Sequence, residues 1–375
     1  MRQSTDQPVR VRFEHTRYPQ WGGHSGYAQF VRCLDPASFR TFLHGASDRD
    51  PDLPRWLRRF KPSLKRLIAR GKMPWYKISD LNAEMLALAE CLRRRLDLVH
   101  FLDGEHSGQF LPRLLRFLGP SSVRTVVTFH QPPSLLRDLV NPKLLRWIDE
   151  VVVVSPSQLE YFRPHVAEDR LQVILHGVDT DFFHPAAAAS QTGGIRCVTV
   201  GNWLRDWSSF AAVARAMGDI AFDVVTRAKP DLSGLVNVRL YSGLDDGALA
   251  ELYRSADILF LPLKETTANN ALLEGIATGL PVVATDLEAT RAYLPSGEAI
   301  LVADNRTEGF IEAIRGLQQN GALRGEMGRR ARLRAEELAW PRLVCHYERL
   351  YRRAIRRPPV GRGRAKDRIG SALPV

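Results

Sequence analysis

Residues 267–286 read TANNALLEGIATGLPVVATD. Small and amide residues at 267–270 lead into an apolar run at 271–278, which predicts a short helix. Gly279 then supplies the residue type that takes the left-handed conformation past a helix end. Leu280 and Pro281 reset the direction, and 282–285 (VVAT) is a short β-branched run suited to a strand buried on both faces. Residues 256–263 (ADILFLPL) form another such run just upstream. The unit is strand, loop, helix, turn, strand: one parallel crossover. Its loop lies after a strand's carboxyl end and before a helix's amino end. Unpaired backbone N–H groups and the helix dipole favour an anion such as a diphosphate there. Asn269 and Asn270 suit the N-cap. Glu274, one turn inside, cannot favour a phosphate but can accept hydrogen bonds from both hydroxyls of a ribose diol. A loop for phosphate with a carboxylate for ribose describes a nucleotide-sugar pocket; an ordinary helix with an N-terminal carboxylate is the alternative.

Outward from this unit, strand and helix patterns alternate in both directions. Downstream come a strand over 299–303, helices over 307–319 and 322–338, and a last helix over 340–355. Upstream, strands are predicted over 196–200, 222–226 and 236–241, the last followed by Ser242-Gly243-Leu244 and a helix over 245–255. Residues 179–194 have no periodicity and contain Pro185 and Gly193-Gly194, which marks a domain boundary. Before it, strands are predicted over 9–13, 39–44, 96–102, 125–129, 151–154 and 171–175, with helices over 25–34, 79–94 and 135–148. The first strand leads to the glycine-rich WGGHSGY at 21–27, the third ends at Asp103-Gly104-Glu105-His106, and His130 stands at the end of the fourth. The reading is an α/β protein of two doubly wound domains facing each other across a cleft. The first covers residues 1–184 and the second, the donor domain, 185–340. Residues 341–357 form a closing helix, and a basic tail over 358–375 is expected to be disordered.

The length of 375 residues suits two domains, and a hydrophobic content of 45% suits two cores. No run of 18 or more apolar residues predicts a membrane-spanning helix, and the first ten residues lack an apolar signal core. Cys33, Cys91, Cys197 and Cys345 are far apart, with no CxxC, so reduced core thiols in a cytoplasmic protein are expected, and no metal site. The net charge of +12 is localised: residues 55–72 carry eight basic and no acidic residues, and 352–368 carry eight basic and one acidic. Two such segments suggest an anionic surface partner. Residues 51–71 read as a basic amphipathic helix with Trp56, Leu57, Phe60, Leu64, Leu67 and Ile68 near one stripe and Pro62 as a kink. That pattern fits a helix at an anionic membrane surface, peripheral to the inner membrane, or a solvated helix with a core-facing stripe. No recognition motif accompanies the basic segments, so nucleic acid is not an expected partner.

The 267–286 stretch resembles the donor-site signature of the retaining glycosyltransferases of the GT-B fold, family 4 type. The order TFH at 128–130, VVVVS at 151–155 and HGVDTDFFHP at 176–185 matches the first half of those enzymes, so the resemblance spans roughly residues 9–355. It implies the GT-B arrangement and transfer of a sugar from a nucleotide diphosphate sugar to an acceptor hydroxyl, with retention, in glycan or glycolipid biosynthesis. The donor and a glycan or lipid-linked acceptor are the implied partners. No cofactor or metal is implied. By the same resemblance Glu274 binds the ribose, His130 is the active-site histidine, and Gly22, Gly23 and His24 contact the donor phosphates or sugar.

The chain departs from the family pattern at three positions. Thr266 stands where the first Glu of the family's Glu-x7-Glu belongs, which bears on the sugar contact; Thr266, Asn269 and Asn270 are the candidates to replace it, and Thr267 is a further donor-binding candidate in the same loop. After Gly201, Asn202 and Trp207 replace the Arg and Lys that hold the diphosphate. Arg205 is the remaining basic residue of that loop and the candidate for this role, a salt bridge to Asp206 being the alternative. Arg227 or Lys264 is expected to supply the second charge, and Gly243 to line the nucleobase. Asp103 and Glu105 can hold acceptor hydroxyls or cap the following helix. Two other classes remain open at this point: a two-domain sugar-nucleotide epimerase, and a catalytically silent nucleotide-sugar-binding scaffold.

Overall fold

The computed structural model describes residues 7–17, 22–48, 58–120, 122–186 and 194–360. Among them the strands form two six-stranded parallel sheets. The first has the order β2-β1-β3-β4-β5-β6, from β1 (Val9–Arg17), β2 (Phe39–Ser47), β3 (Leu98–Phe101), β4 (Arg124–Phe129), β5 (Glu150–Val153) and β6 (Leu171–Val173). The second has the order β12-β11-β10-β7-β8-β9, from β7 (Arg196–Val200), β8 (Ala221–Val225), β9 (Val238–Tyr241), β10 (Ile258–Leu261), β11 (Val282–Thr285) and β12 (Ala299–Val302).

The central strands are buried throughout because helices cover both faces, which is why β10 reads ILFL and β11 VVAT without polar alternation. Their side chains still divide by face. Leu259 and Leu261 join the core beneath the Asn270–Ala277 helix, whereas Ile258 and Phe260 join the core with Phe210, Phe310 and Ile314 on the opposite side. The Asn270–Ala277 helix is capped by Asn269 Oδ1, which accepts from Leu272 N at 3.4 Å, and Gly279 follows its end with φ +79°.

Strand order reverses once in each sheet. In the first, the chain leaves β1 for one side and returns to place β3 on the other; in the second, β7 and β10 play the same parts. Ligands of open α/β sheets bind at the carboxyl ends beside such a reversal. The loops found there are 22–26 and 102–110 in the first domain and 201–206 and 262–269 in the second.

The last helix, Trp340–Arg356, returns to the first domain. Tyr347 stacks on Phe30 at 4.3 Å between centroids, and the Tyr351 hydroxyl meets His100 Nδ1 at 2.7 Å. Some expected elements differ. The helix over 25–34 is a 3₁₀ segment, Tyr27–Cys33. The helix over 135–148 is two short helices, Pro133–Leu139 and Pro142–Leu145, because Pro142 has no N–H to continue the first. Of the basic amphipathic helix, the described part is a turn at Arg58–Phe60 and a helix at Lys61–Ala69, with Pro62 in its first turn rather than at a kink. Trp56, Leu57, residues 187–193 of the linker and the tail beyond 360 lie outside the described residues. Cys345 is exposed rather than in the core.

Candidate active site

The loops at the two reversals enclose a cavity of about 580 Å³ between the domains. Hydrogen bonds cross it. Ser25 Oγ donates to Glu274 Oε1 at 2.7 Å, His24 N to Asp246 Oδ2 at 3.0 Å, and Trp203 Nε1 to Gln131 Oε1 at 3.2 Å. Thr267 Oγ1 donates to the His130 carbonyl, and Ser134 Oγ to Glu265.

On the second-domain side, Thr266, Thr267, Asn269, Asn270, Ala271 and Glu274 all line the cavity. The first N–H groups of the Asn270–Ala277 helix have no partner within the helix. Glu274 is 5% exposed, and its Oε2 accepts from the Tyr253 hydroxyl at 3.0 Å. Burial pushes its carboxyl up to about 7, against the pull of the Ser25 and Tyr253 hydroxyls. It therefore carries two hydroxyl donors already, one from each domain.

Arg205 also lines the cavity, but its guanidinium is turned into the second domain. Nε and Nη2 donate to the Val200 carbonyl at 3.0 and 2.5 Å, Nη1 to the Trp203 carbonyl at 3.1 Å, and Nη2 to Asn269 Oδ1 at 3.2 Å. The fork is thus held by backbone and amide oxygens at the cavity wall, and the alternative partner, Asp206, instead bonds Ser208, Ser209 and Asn305. Burial lowers the Arg205 guanidinium to about 10, so it stays charged at neutral pH beside the helix N-cap. Asn202, at the position of the family's Arg, accepts from Thr226 Oγ1 and from the backbone N of Arg227 and Ala228. It orders the loop that carries Arg227. Arg227 and Gly243 line the cavity and Lys264 does not; the Lys264 backbone N–H pairs with the Leu204 carbonyl.

On the first-domain side, His130, Asp103 and Glu105 line the cavity. His130 donates its ring Nε2–H to the Leu102 carbonyl at 2.6 Å, and its ring stands edge-on to Tyr27 at 4.6 Å. Burial brings it down to about 4, which keeps it neutral with Nδ1 as an acceptor. The carboxylates serve backbone groups: Asp103 Oδ2 accepts from Thr16 N at 2.7 Å, and Glu105 Oε1 from His130 N and Gln131 N at 2.6 and 2.7 Å. Burial raises Asp103 to about 6 and Glu105 to about 7. Their geometry is that of supports for the loops after β1 and β4. Gly22 reaches the cavity but Gly23 and His24 do not; the His24 ring stacks on Phe182 at 3.7 Å and bonds Asp179 at 2.8 Å.

Several residues at the site escaped the sequence reading. Ser25 and Tyr253 meet Glu274 from sites 249 and 21 residues away, and no local pattern encodes such a meeting. Trp75, His106, Gln131 and Trp203 form the wall between the two domains. Only Trp203 carried a signal, an apolar side chain in a loop otherwise made for charge.

Comparison with known proteins agrees with this geometry. The model of the glycosyl transferases group 1 matches residues 203–320, and that of glycosyltransferase family 4 matches residues 19–182. The chain is 32% identical over 336 residues to the D-inositol 3-phosphate glycosyltransferase of Paenarthrobacter aurescens, covering 76% of this chain and 81% of that protein. It is 32% identical over 123 residues to the phosphatidyl-myo-inositol mannosyltransferase of Mycolicibacterium smegmatis, a match spanning 31% of that relative and 32% of this chain. Among solved structures, the sucrose-phosphate synthase of Thermosynechococcus elongatus superposes with a TM-score of 0.70 at 16% identity, over 92% of this chain and 98% of the other, which shows a shared fold. With both family models falling on the two halves of one cleft, the chain belongs to the group 1, family 4 glycosyltransferases of the GT-B fold.

Proposed function

We propose that the chain moves a hexosyl group, with retention at the anomeric carbon, from a nucleoside diphosphate sugar to a hydroxyl of a glycan or lipid-linked acceptor. The observation that carries this reading is the meeting in one cavity of the Asn270–Ala277 helix N-terminus and Glu274 with His130 of the opposite domain. Breaking the bond between the anomeric carbon and the phosphate oxygen develops negative charge on the leaving diphosphate. The N–H groups of Asn270 and Ala271, Arg227 and the buried charge of Arg205 oppose it. The acceptor oxygen bonds the anomeric carbon on the face the diphosphate leaves, and its proton passes to the leaving phosphate oxygen. His130, neutral, is an acceptor for a sugar hydroxyl rather than a proton carrier. Glu274 exchanges its Ser25 contact for ribose. We assign the leaving-group charge to these groups and to no metal ion, since Glu274 and Glu265 are both engaged with hydroxyls.

The relatives' names support a polyol or lipid headgroup as acceptor. No helix among the described residues is long and apolar enough to cross a membrane. The Lys61–Ala69 helix turns Ile68 into a small core but leaves Phe60 and Leu67 exposed among Lys61, Lys65, Arg66 and Arg70. An apolar pair within a basic cluster supports peripheral attachment to an anionic membrane. Incubating the protein with a panel of nucleoside diphosphate hexoses and a membrane-lipid extract, read by mass spectrometry, tests the proposal. Release of one nucleoside diphosphate together with a hexosylated product is expected; binding without turnover across the panel would leave a silent scaffold.

A further inference from the structure

The loop after β7 is bent out of ordinary backbone geometry. Gly201 has φ +120° and Leu204, a branched residue, φ +55°, a left-handed conformation that L-residues with a side chain rarely adopt. Arg205 fills the space beneath it: a Cβ on Gly201 would lie 2.3 Å from Arg205 Nη2, and the guanidinium holds the Val200 and Trp203 carbonyls. The bend turns Trp203 out of the second domain and toward the first. There it remains 55% exposed, with its indole N–H donating to Gln131. Trp75, on the first domain, meets it edge to face at 6.3 Å and 66°, and His106 packs on Trp75 at 5.1 Å. All four side chains line the cavity, with Glu105 beside them.

Two indoles with a rim of amide, imidazole and carboxylate match a ligand that is apolar on one face and rich in hydroxyls at its edge. A six-membered carbohydrate ring has that form: its C–H face packs on an aromatic ring while its hydroxyls find polar partners. An acyl chain would leave the polar rim without use. A nucleobase would stack, but the loop at Gly243, expected to line it, follows β9 at the edge of the sheet, two strands from β7 and the loop of Trp203.

We propose that Trp75 and Trp203, one from each domain, form an aromatic corner against which a six-membered polyol ring of the acceptor packs. This rests on the transferase reading for the word acceptor, but the corner has a readout of its own. Saturation-transfer NMR on the full chain, with methyl α-mannopyranoside, methyl α-glucopyranoside, myo-inositol and linear sorbitol as probes, reports which C–H protons touch the protein. Transfer to at least one ring, with none to sorbitol, is expected, and it should persist when saturating UDP, GDP or ADP is added. Trp203→Ala and Trp75→Ala should each weaken ring binding about tenfold, whereas Trp203→Phe retains most of it. Trp203 is exposed, so its removal leaves the fold intact, which an unchanged thermal transition verifies. No transfer to any ring, equal binding by the alanine variants, or displacement by the nucleoside diphosphate overturns the proposal. Failure of all three diphosphates to bind, with ring transfer intact, would instead count against the donor reading and leave the aromatic corner standing.

Discussion

Replacing Glu274 with Gln removes one acceptor oxygen and the charge while keeping the side chain's shape. In the structure the carboxylate accepts from Ser25 at Oε1 and Tyr253 at Oε2. The amide can still accept from Tyr253 through its carbonyl, but its NH₂ cannot accept from a ribose hydroxyl at the other position. A hydrogen bond to a charged group contributes about 1.5–3 kcal/mol. Ribose binding exchanges the Ser25 bond for another, so the net loss should be smaller at the low end, about 1–3 kcal/mol, or roughly 5- to 150-fold in Kd. The pH dependence adds a sign. With the folded carboxyl at about 7, raised by burial, the ionised fraction grows from about a tenth at pH 6 to about nine-tenths at pH 8. Nucleoside diphosphate affinity should therefore rise by up to about tenfold across that window. The ligand's own terminal phosphate titrates nearby, and the Gln variant, which retains only that contribution, serves as the control. Calorimetry at several pH values reads both effects. An unchanged Kd in a folded Glu274→Gln protein, or the same pH slope in variant and parent, would refute the ribose role.

Three further outcomes are expected. On the proposal that the Thr266 hydroxyl serves the sugar, Thr266→Val should lower turnover while leaving nucleoside diphosphate affinity nearly unchanged; equal kinetics in variant and parent would reduce Thr266 to a loop residue. Activity should survive EDTA, and loss restored by magnesium or manganese would transfer leaving-group stabilisation away from Arg227, Arg205 and the helix N-terminus. The protein should co-sediment with anionic vesicles at low salt and be released as salt rises, since each basic residue near the surface contributes about 1 kcal/mol, screened by ions; protein remaining in the supernatant at low salt would point to a water-soluble acceptor.

The 267–286 stretch was legible because each of its parts is decided locally. Val282–Thr285 is a strand at the expected bounds, and the capped helix and the glycine after it lie within a residue of where the pattern puts them. The helix at Thr307–Gln319 likewise follows from its apolar period alone. The short helix Glu288–Tyr293 was missed, since six residues give too little period to read. Within the site, residues at strand ends were legible and their partners were not. Arg205 was found as the one cation of its loop, but nothing in NWLRDW tells that its guanidinium folds back onto Val200 and Trp203. Asp103 and Glu105 left acceptor binding and capping equally open, and only the distances to Thr16, His130 and Gln131 favour support of the loops. Trp75 and Trp203 meet across two domains, a juxtaposition set by tertiary packing rather than by local sequence.

Donor and acceptor are proposed to meet between the two sheets, with the nucleotide on the second. A crystal structure with the nucleoside diphosphate that the donor panel identifies tests the nucleotide's place most directly. The diphosphate is expected at the N–H groups of Asn270 and Ala271, with a ribose hydroxyl replacing Ser25 at Glu274 Oε1. A nucleotide bound elsewhere, or Glu274 still joined to Ser25 with the ribose out of reach, would contradict this placement.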